Sequence, residues 1–204
     1  MRQRVFHSGL VLFFFFGLVA CTDTPVLSPL RTDATLLAFG DSLTWGTGGG
    51  ENGSYPFQLE QLIGRRVINA GVPGEISAEG VKRLTPLLLE HQPQLLILCH
   101  GGNDLLRRLD RLTLRNNLKL MIEAAQQAGV EVLLIGVPNP GILSSPPGLY
   151  AELATEYKLP YLGEILTELE TERKFKSDAV HLNAAGYLQL AKSVQDSLET
   201  AQAL

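Results

Sequence analysis

Short apolar runs alternate with amphipathic stretches along most of this chain. Brief runs rich in Leu, Ile and Val are typical of buried strands, whereas apolar positions that repeat every three or four residues indicate helices. The predicted strands are 35–39, 66–69, 95–99, 131–136 and 160–162, and the predicted helices are 55–63, 76–89, 112–127, 149–157 and 183–198. This alternation predicts an α/β domain in which helices cover both faces of a parallel sheet.

Polar residues and glycines follow the ends of three predicted strands. Ser42 comes after the first strand, Gly74 after the second and Asn103 after the third. Because ligands bind at the carboxyl ends of the strands in such sheets, we expect these residues at one edge. Asp178 and His181 occupy the loop before the last helix, from which they would reach the same edge.

These residue types can form a nucleophilic serine together with the base, the orienting carboxylate and the oxyanion donors that it requires. Ser42 is the predicted nucleophile, because a neutral His181 accepts its proton and Asp178 fixes the imidazole tautomer. The backbone N–H groups of Ser42 and Gly74 and the amide of Asn103 are the predicted oxyanion donors. Each also has a structural alternative: Ser42 as a helix N-cap, His181 as an ordinary surface or core residue, Asp178 as a turn or capping residue, and Gly74 and Asn103 as turn residues.

Four sequence blocks, taken in order, resemble the SGNH hydrolases, also called the GDSL esterase/lipase family. They are F-G-D-S-L-T-x-G at 39–46, N-A-G-V-P-G at 69–74, G-G-N-D at 101–104 and D-x-x-H at 178–181. The resemblance implies a three-layer α/β/α, flavodoxin-like fold with a central parallel sheet of about five strands. It also implies hydrolysis through an acyl-enzyme, with no cofactor and no metal.

Within that family the compact chain is most similar to the bacterial lysophospholipase, thioesterase and arylesterase branch. This resemblance implies a serine esterase for acyl or aryl esters, lysophospholipids and acyl thioesters among them. A carbohydrate or peptidoglycan O-acetylesterase would use the same residues, and a non-enzymatic envelope lipoprotein on the same fold is a third interpretation. His100 stands where better-known members have another residue, and we expect it to line the pocket.

Other features have weaker chemical meaning. Trp45, Leu105 and Leu143 are candidates for an acyl pocket, with core or loop packing as the alternative for each. Segment 138–148, rich in Pro, Gly and Ser, is either a lid or a connector. The G-x-G-x-x-G pattern at 48–53 does not directly follow a predicted strand, so it indicates a loop rather than a dinucleotide site.

The N-terminus has the pattern of an export signal. Two arginines precede an apolar run at 10–20 that is too short to span a bilayer comfortably. L-V-A-C, ending at Cys21, resembles the bacterial lipobox, which implies cleavage before Cys21 and acyl chains on it. Thr22 after that cysteine favours the outer membrane, by resemblance to Gram-negative lipoproteins. An ordinary secreted protein with an incidental cysteine is the alternative.

The predicted organisation is therefore a signal peptide over 1–20, a lipidated cysteine and tether over 21–33, and a hydrolase domain over 34–204. The predicted location is the bacterial cell envelope, on the periplasmic side of the membrane. The predicted partners are a small acyl-ester substrate and, through Cys21, that membrane. No protein partner is inferred.

Charge and cysteine content exclude some classes of protein. The chain has 17 Lys and Arg against 21 Asp and Glu, and its formal net charge of −4 falls to −6 without the two leader arginines. It has no basic run that would follow a phosphate backbone, so nucleic acid is not an expected partner. Its two cysteines do not form a disulfide framework, and Cys99 is expected in a buried strand.

Overall fold

The computed structural model describes residues 25–141 and 145–204. At its centre is a parallel sheet with the strand order β2-β1-β3-β4-β5. The strands are Thr35–Gly40 (β1), Arg66–Gly71 (β2), Leu95–Cys99 (β3), Glu131–Ile135 (β4) and Tyr161–Leu162 (β5). The predicted strands are confirmed, with ends that differ by at most two residues.

Helices connect these strands and cover both faces of the sheet. They are Ser42–Trp45 (α1), Tyr55–Ile63 (α2), Ser77–His91 (α3), Gly102–Leu106 (α4), Arg111–Gln127 (α5), Leu149–Tyr157 (α6), Ile165–Thr171 (α7) and Ala184–Thr200 (α8). Helix α3 packs on α5, while α2 packs on α8, which gives the predicted three-layer α/β/α architecture. The long predicted helices are confirmed, whereas the short helices α1, α4 and α7 were not predicted.

The core lies on both sides of the central strands. Every residue of β3 is buried, as are the five residues of β1 that follow Thr35. Strands in the middle of a parallel sheet have no solvent-facing side, which is why they form continuous apolar runs in the sequence.

Two polar residues at helix starts have different roles. Asn183 caps α8, since its side-chain oxygen accepts the N–H of Gly186 at 3.0 Å. Ser77 is not a cap but the first residue of α3. Its hydroxyl and backbone N–H donate to the carboxylate of Asp104, at 2.6 and 2.8 Å. Ser77 therefore ties α3 to α4.

Residues 27–31, which belong to the predicted tether, pack against the domain, and we call them the strap. Leu27 and Leu30 are buried, and their N–H groups donate to carbonyls just after α8, each at 2.8 Å. The N–H of Ser28 donates to the carboxylate of Glu131, at the start of β4, at 3.0 Å. The folded domain thus begins earlier in the chain than predicted.

Neither of the two described ranges contains a helix with the length and apolar character needed to cross a bilayer. Cys21 and the predicted signal peptide lie outside the described residues, so their predictions stand untested.

Candidate active site

Ser42 stands at the carboxyl end of β1, where the chain turns directly into α1. The N-cap of α1 is Asp41, whose buried carboxylate accepts the N–H of Leu43 and that of Gly102, each at 3.1 Å. Burial raises the pKa of Asp41, against the effect of these donors and of His100. Asp41, not Ser42, therefore has the capping role, and it also holds α4 beside α1.

Ser42, His181 and Asp178 form one continuous chain of contacts. The Oγ of Ser42 lies 3.0 Å from Nε2 of His181, and Nδ1 of His181 lies 2.8 Å from Oδ2 of Asp178. The other oxygen of Asp178 accepts the backbone N–H groups of Val180 and His181, at 2.9 and 2.8 Å. The structure thus brings the three residues together in the order that the sequence predicted.

The Asp178 carboxylate stays charged although the site is partly enclosed. Its side chain is 53% exposed, against 19% for His181. Partial desolvation opposes the charge, but the N–H groups of Val180 and His181 and the imidazole outweigh it and lower the pKa of Asp178. An ionised Asp178 orients the imidazole so that Nε2 faces the hydroxyl.

The predicted oxyanion donors lie on the other side of Ser42. After β2, the N–H of Val72 donates to the carbonyl of Gly40 at 3.0 Å, which fixes the turn that carries Gly74. The amide of Asn103, in α4, donates one hydrogen to the carbonyl of Glu75 at 3.0 Å and has a second to offer. Within the described ranges, the N–H groups of Ser42 and Gly74 have no acceptor.

A buried ionic cluster, which we call the brace, supports this turn from behind. The guanidinium of Arg83, in α3, donates to both carboxylate oxygens of Glu75, at 2.8 and 2.6 Å. It also lies over the ring of Phe39, 4.2 Å from the centroid. His100 Nε2 is 3.0 Å from the same carboxylate, and because a carboxylate only accepts, that nitrogen carries the hydrogen.

The brace corrects the prediction for His100. This residue is fully buried and does not line the cleft, and its Nδ1 has no partner. Burial opposes the charge of Glu75, but Arg83 and His100 outweigh it and lower the pKa of Glu75 to about 2. The brace therefore keeps a charged residue next to Gly74 and holds the carbonyl to which Asn103 is bonded.

Comparison with known proteins identifies the family. The model of the GDSL-like Lipase/Acylhydrolase family matches residues 38–188, a range that contains the contact chain, the predicted oxyanion donors and the brace. The chain belongs to this family. The family predicted from the four sequence blocks is thereby confirmed, and the protein is a carboxylic ester hydrolase.

Relatives of this GDSL-family esterase are named for related activities. Esterase TesA of Pseudomonas aeruginosa is 28% identical over 193 residues, which cover 89% of this chain and 96% of that protein. Thioesterase 1/protease 1/lysophospholipase L1 of Escherichia coli K12 is 29% identical over 157 residues, covering 73% and 76%. The crystal structure of AlinE4, an SGNH-hydrolase family esterase, is 32% identical with a TM-score of 0.65, covering 83% and 96%.

The esterase has a cleft over Ser42 and His181. Asn103, Asn139 and Glu170 contribute polar groups to its walls, and the loops after β4 and before α8 contribute apolar residues. A cleft that combines apolar walls with a few polar groups is the usual form of a site for a small organic ligand.

Trp45 and Leu105, which were predicted to line an acyl pocket, do not line this cleft. Trp45 is 57% exposed and lines a separate depression beside Asn69. Leu105 is buried, and its neighbour Leu106 borders the cleft instead. Leu143 lies outside the described residues, as do both its neighbours, so the lid prediction for 138–148 stays untested.

Sequence reasoning missed Glu170 and the pairing within the brace. An acidic residue directly after the proposed oxyanion glycine, with an arginine two helical turns later, was a usable signal for the brace. The described residues contain no group of three or more His, Cys, Asp or Glu that could hold a metal ion.

Proposed function

We propose that this esterase hydrolyses its substrates through an acyl-enzyme on Ser42, with His181 as the base and Asp178 as its orienting partner. The observation that carries the proposal is the contact chain, with 2.8 Å between Asp178 and His181 and 3.0 Å between His181 and Ser42. The 3.0 Å distance allows Nε2 of His181 to take the hydroxyl proton, and the 2.8 Å distance allows Asp178 to orient the imidazole.

In the acylation step, Oγ of Ser42 attacks the ester carbonyl while Nε2 of His181 takes its proton. The oxyanion that forms accepts hydrogen bonds from the N–H groups of Ser42 and Gly74 and from the free hydrogen of the Asn103 amide. As the bond to the leaving oxygen breaks, the imidazolium returns its proton to that oxygen. The alcohol departs and Ser42 holds the acyl group.

Deacylation repeats these steps with water. His181 takes a proton from a water molecule, which attacks the acyl carbonyl, and the same donors stabilise the second oxyanion. The proton then returns to Oγ of Ser42, and the carboxylic acid leaves. No group outside the described residues and water is needed to balance the reaction.

The finer proposal is that the substrates are acyl or aryl esters, with lysophospholipids or acyl thioesters among them. The branch resemblance of the sequence and the activities for which the Escherichia coli relative is named support this class. A series of p-nitrophenyl esters from acetate to palmitate tests it, because an O-acetylesterase would accept acetate alone.

Replacement of Ser42 by alanine tests the mechanism. We expect kcat to fall by about 10⁴-fold or more, with an unchanged melting temperature, since among the described residues the hydroxyl has no hydrogen-bond partner besides His181. A fluorophosphonate probe should label the wild type at one site and leave Ser42→Ala unlabelled.

Ser28→Ala, in the strap, is the matched control and should keep both turnover and labelling. Near-normal turnover by Ser42→Ala would refute the assignment of the nucleophile. A wild type that no fluorophosphonate labels would instead favour the non-enzymatic interpretation.

We also propose that the esterase is exported and held to a membrane by acyl chains on Cys21, with the outer membrane favoured. The leader pattern over 1–20 and the cysteine that follows it support this proposal. Metabolic labelling with palmitate should mark the full chain and not Cys21→Ser, which should move to the soluble fraction. An unlabelled wild type would contradict the anchor.

A further inference from the structure

Glu170 borders the cleft together with Ser42 and His181, yet the proposed reaction gives it no role. It lies on α7, which follows β5 at the edge of the sheet opposite to β2 and the brace. An ester bound at Ser42 therefore lies in the cleft that the Glu170 carboxyl group also lines.

The surroundings of Glu170 leave its side chain without a partner. Throughout the described residues, no donor makes a hydrogen bond or close ion pair with this carboxyl group. Burial raises the pKa of Glu170 to about 7, and attraction to Lys176 and His181 offsets only part of that effect. Withdrawing a carboxylate from water without a hydrogen bond costs free energy. A ligand that donates a hydrogen bond to it removes part of that cost.

The charge of the cleft favours a cation over an anion. Among the described residues that line it, Asp41 and Glu170 are acidic and none is lysine or arginine. Asp41 is 1% exposed and its oxygens already accept two backbone N–H groups. Glu170 is therefore the acid that remains for a ligand.

We propose that Glu170 is a specificity-determining residue that binds a positively charged ammonium group on the ester substrate. This inference rests on the proposed function, because it takes the cleft over Ser42 as the place where the ester binds. The ammonium would supply the missing partner of the carboxylate and break no contact within the protein.

A pair of isosteric esters tests the proposal on the purified protein. Acetylcholine and 3,3-dimethylbutyl acetate share their shape and their acetyl ester, and differ in a charged nitrogen against a neutral carbon. We expect the wild type to favour acetylcholine in kcat/KM by about tenfold, since close charge pairs commonly contribute that much. The preference should appear in KM rather than in kcat.

Three variants sharpen the test. Glu170→Gln, which keeps the shape and removes the charge, should lower the preference to about one. Glu170→Leu should favour the neutral ester, because it makes that wall of the cleft apolar. Glu168→Gln is the matched control: the side chain is exposed on the same helix, and its removal should leave the preference at the wild-type value.

Three results would overturn the inference. Equal kcat/KM of the wild type for the two isosteres would do so, provided that it hydrolyses them. An equal loss of kcat on both esters in Glu170→Gln would also do so, because it would mean that Glu170 acts through His181. If the wild type hydrolyses neither of the two esters and not p-nitrophenyl acetate, both the proposed function and this inference are overturned.

Discussion

Glu75 and Glu170 lie toward opposite edges of the sheet, and burial opposes ionisation of both carboxyl groups. The pKa of Glu75 falls to about 2 because Arg83 and His100 surround its carboxylate. The pKa of Glu170 rises to about 7 because desolvation has no such compensation. The pKa of each carboxyl group therefore depends on its hydrogen-bond and ion-pair partners as well as on its burial.

The same contrast separates the two sides of Ser42. On the side of Gly74, the protein satisfies its own charges and holds the proposed oxyanion donors in place. On the side of His181, Asp178 is half exposed and Glu170 is unpaired, so that side keeps its charges for the substrate and the proton transfer. We therefore expect substitutions on the first side to change stability and activity together, and substitutions on the second to change activity more than stability.

After Ser42→Ala, the largest effect is expected for Asp178→Asn, on the side of His181. The amide cannot hold the imidazole in the required tautomer, so kcat should fall by about 10³–10⁴-fold and remain measurable. The melting temperature should change little, because the replaced side chain is half exposed. Asp196→Asn, on the surface of α8, is the control and should match the wild type in steady-state kinetics and thermal unfolding.

A smaller loss is expected for Asn103→Ala, on the side of the brace. The variant removes one oxyanion donor, and such losses lower kcat by about 10²–10³-fold with little change in KM. It also frees the carbonyl of Glu75, so the melting temperature should fall as well. A change in KM alone would mean that Asn103 binds the ground state and not the oxyanion.

Glu75→Gln should produce a smaller loss of activity with a clear loss of stability. It leaves Arg83 and His100 without their carboxylate, which should cost roughly 3 kcal/mol in the free energy of unfolding at neutral pH. Because the folded-state pKa is near 2 and the ordinary value is 4.5, the stabilisation is complete above about pH 4.5 and is lost as the pH falls toward 2.

Urea unfolding of the wild type and Glu75→Gln at pH 7 and pH 3 measures this trend. The difference between them should shrink at pH 3, and kcat at neutral pH should be lower in the variant by about tenfold if the turn with Gly74 loosens. A difference that grows at low pH would contradict the brace.

The smallest effect is expected for the thermal stability of Glu170→Gln, with the opposite sign. The folded state raises this pKa from 4.5 to about 7, so the wild type loses stability as the pH rises through that range. The variant carries no such penalty and should melt about 1–3 °C above the wild type at pH 8, with a smaller difference at pH 5. Scanning calorimetry at the two pH values measures it, and a variant that is less stable at pH 8 would count against an unpaired carboxylate.

The sequence was sufficient to predict the sheet and the placement of Ser42, Gly74 and Asn103 at one edge, because both depend on local signals. Strand β3 is buried along its whole length, so its run of apolar residues is unbroken. Ser42, Gly74 and Asn103 follow strand ends, and the parallel arrangement then brings them to one edge without further information.

The brace and the pocket wall depend on contacts that no local pattern records. Glu75 and His100 are 25 positions apart and meet because β2 and β3 flank β1. His100 precedes the G-G-N-D block, which made a place in the pocket plausible, but its side chain turns toward Glu75. Glu170 lies on a helix of seven residues, too short for a periodic pattern to predict.

The strap determines which way the esterase would face when its N-terminus is anchored. It crosses the molecule beside Gln94 and Glu131, at the amino ends of β3 and β4, whereas Ser42 lies at the carboxyl end of β1. The six residues from Cys21 to Val26 reach about 20 Å at most, so a bilayer that holds Cys21 would lie under the amino edge of the sheet. The cleft over Ser42 would then open away from that bilayer, toward esters in the surrounding aqueous space rather than in the leaflet that holds Cys21.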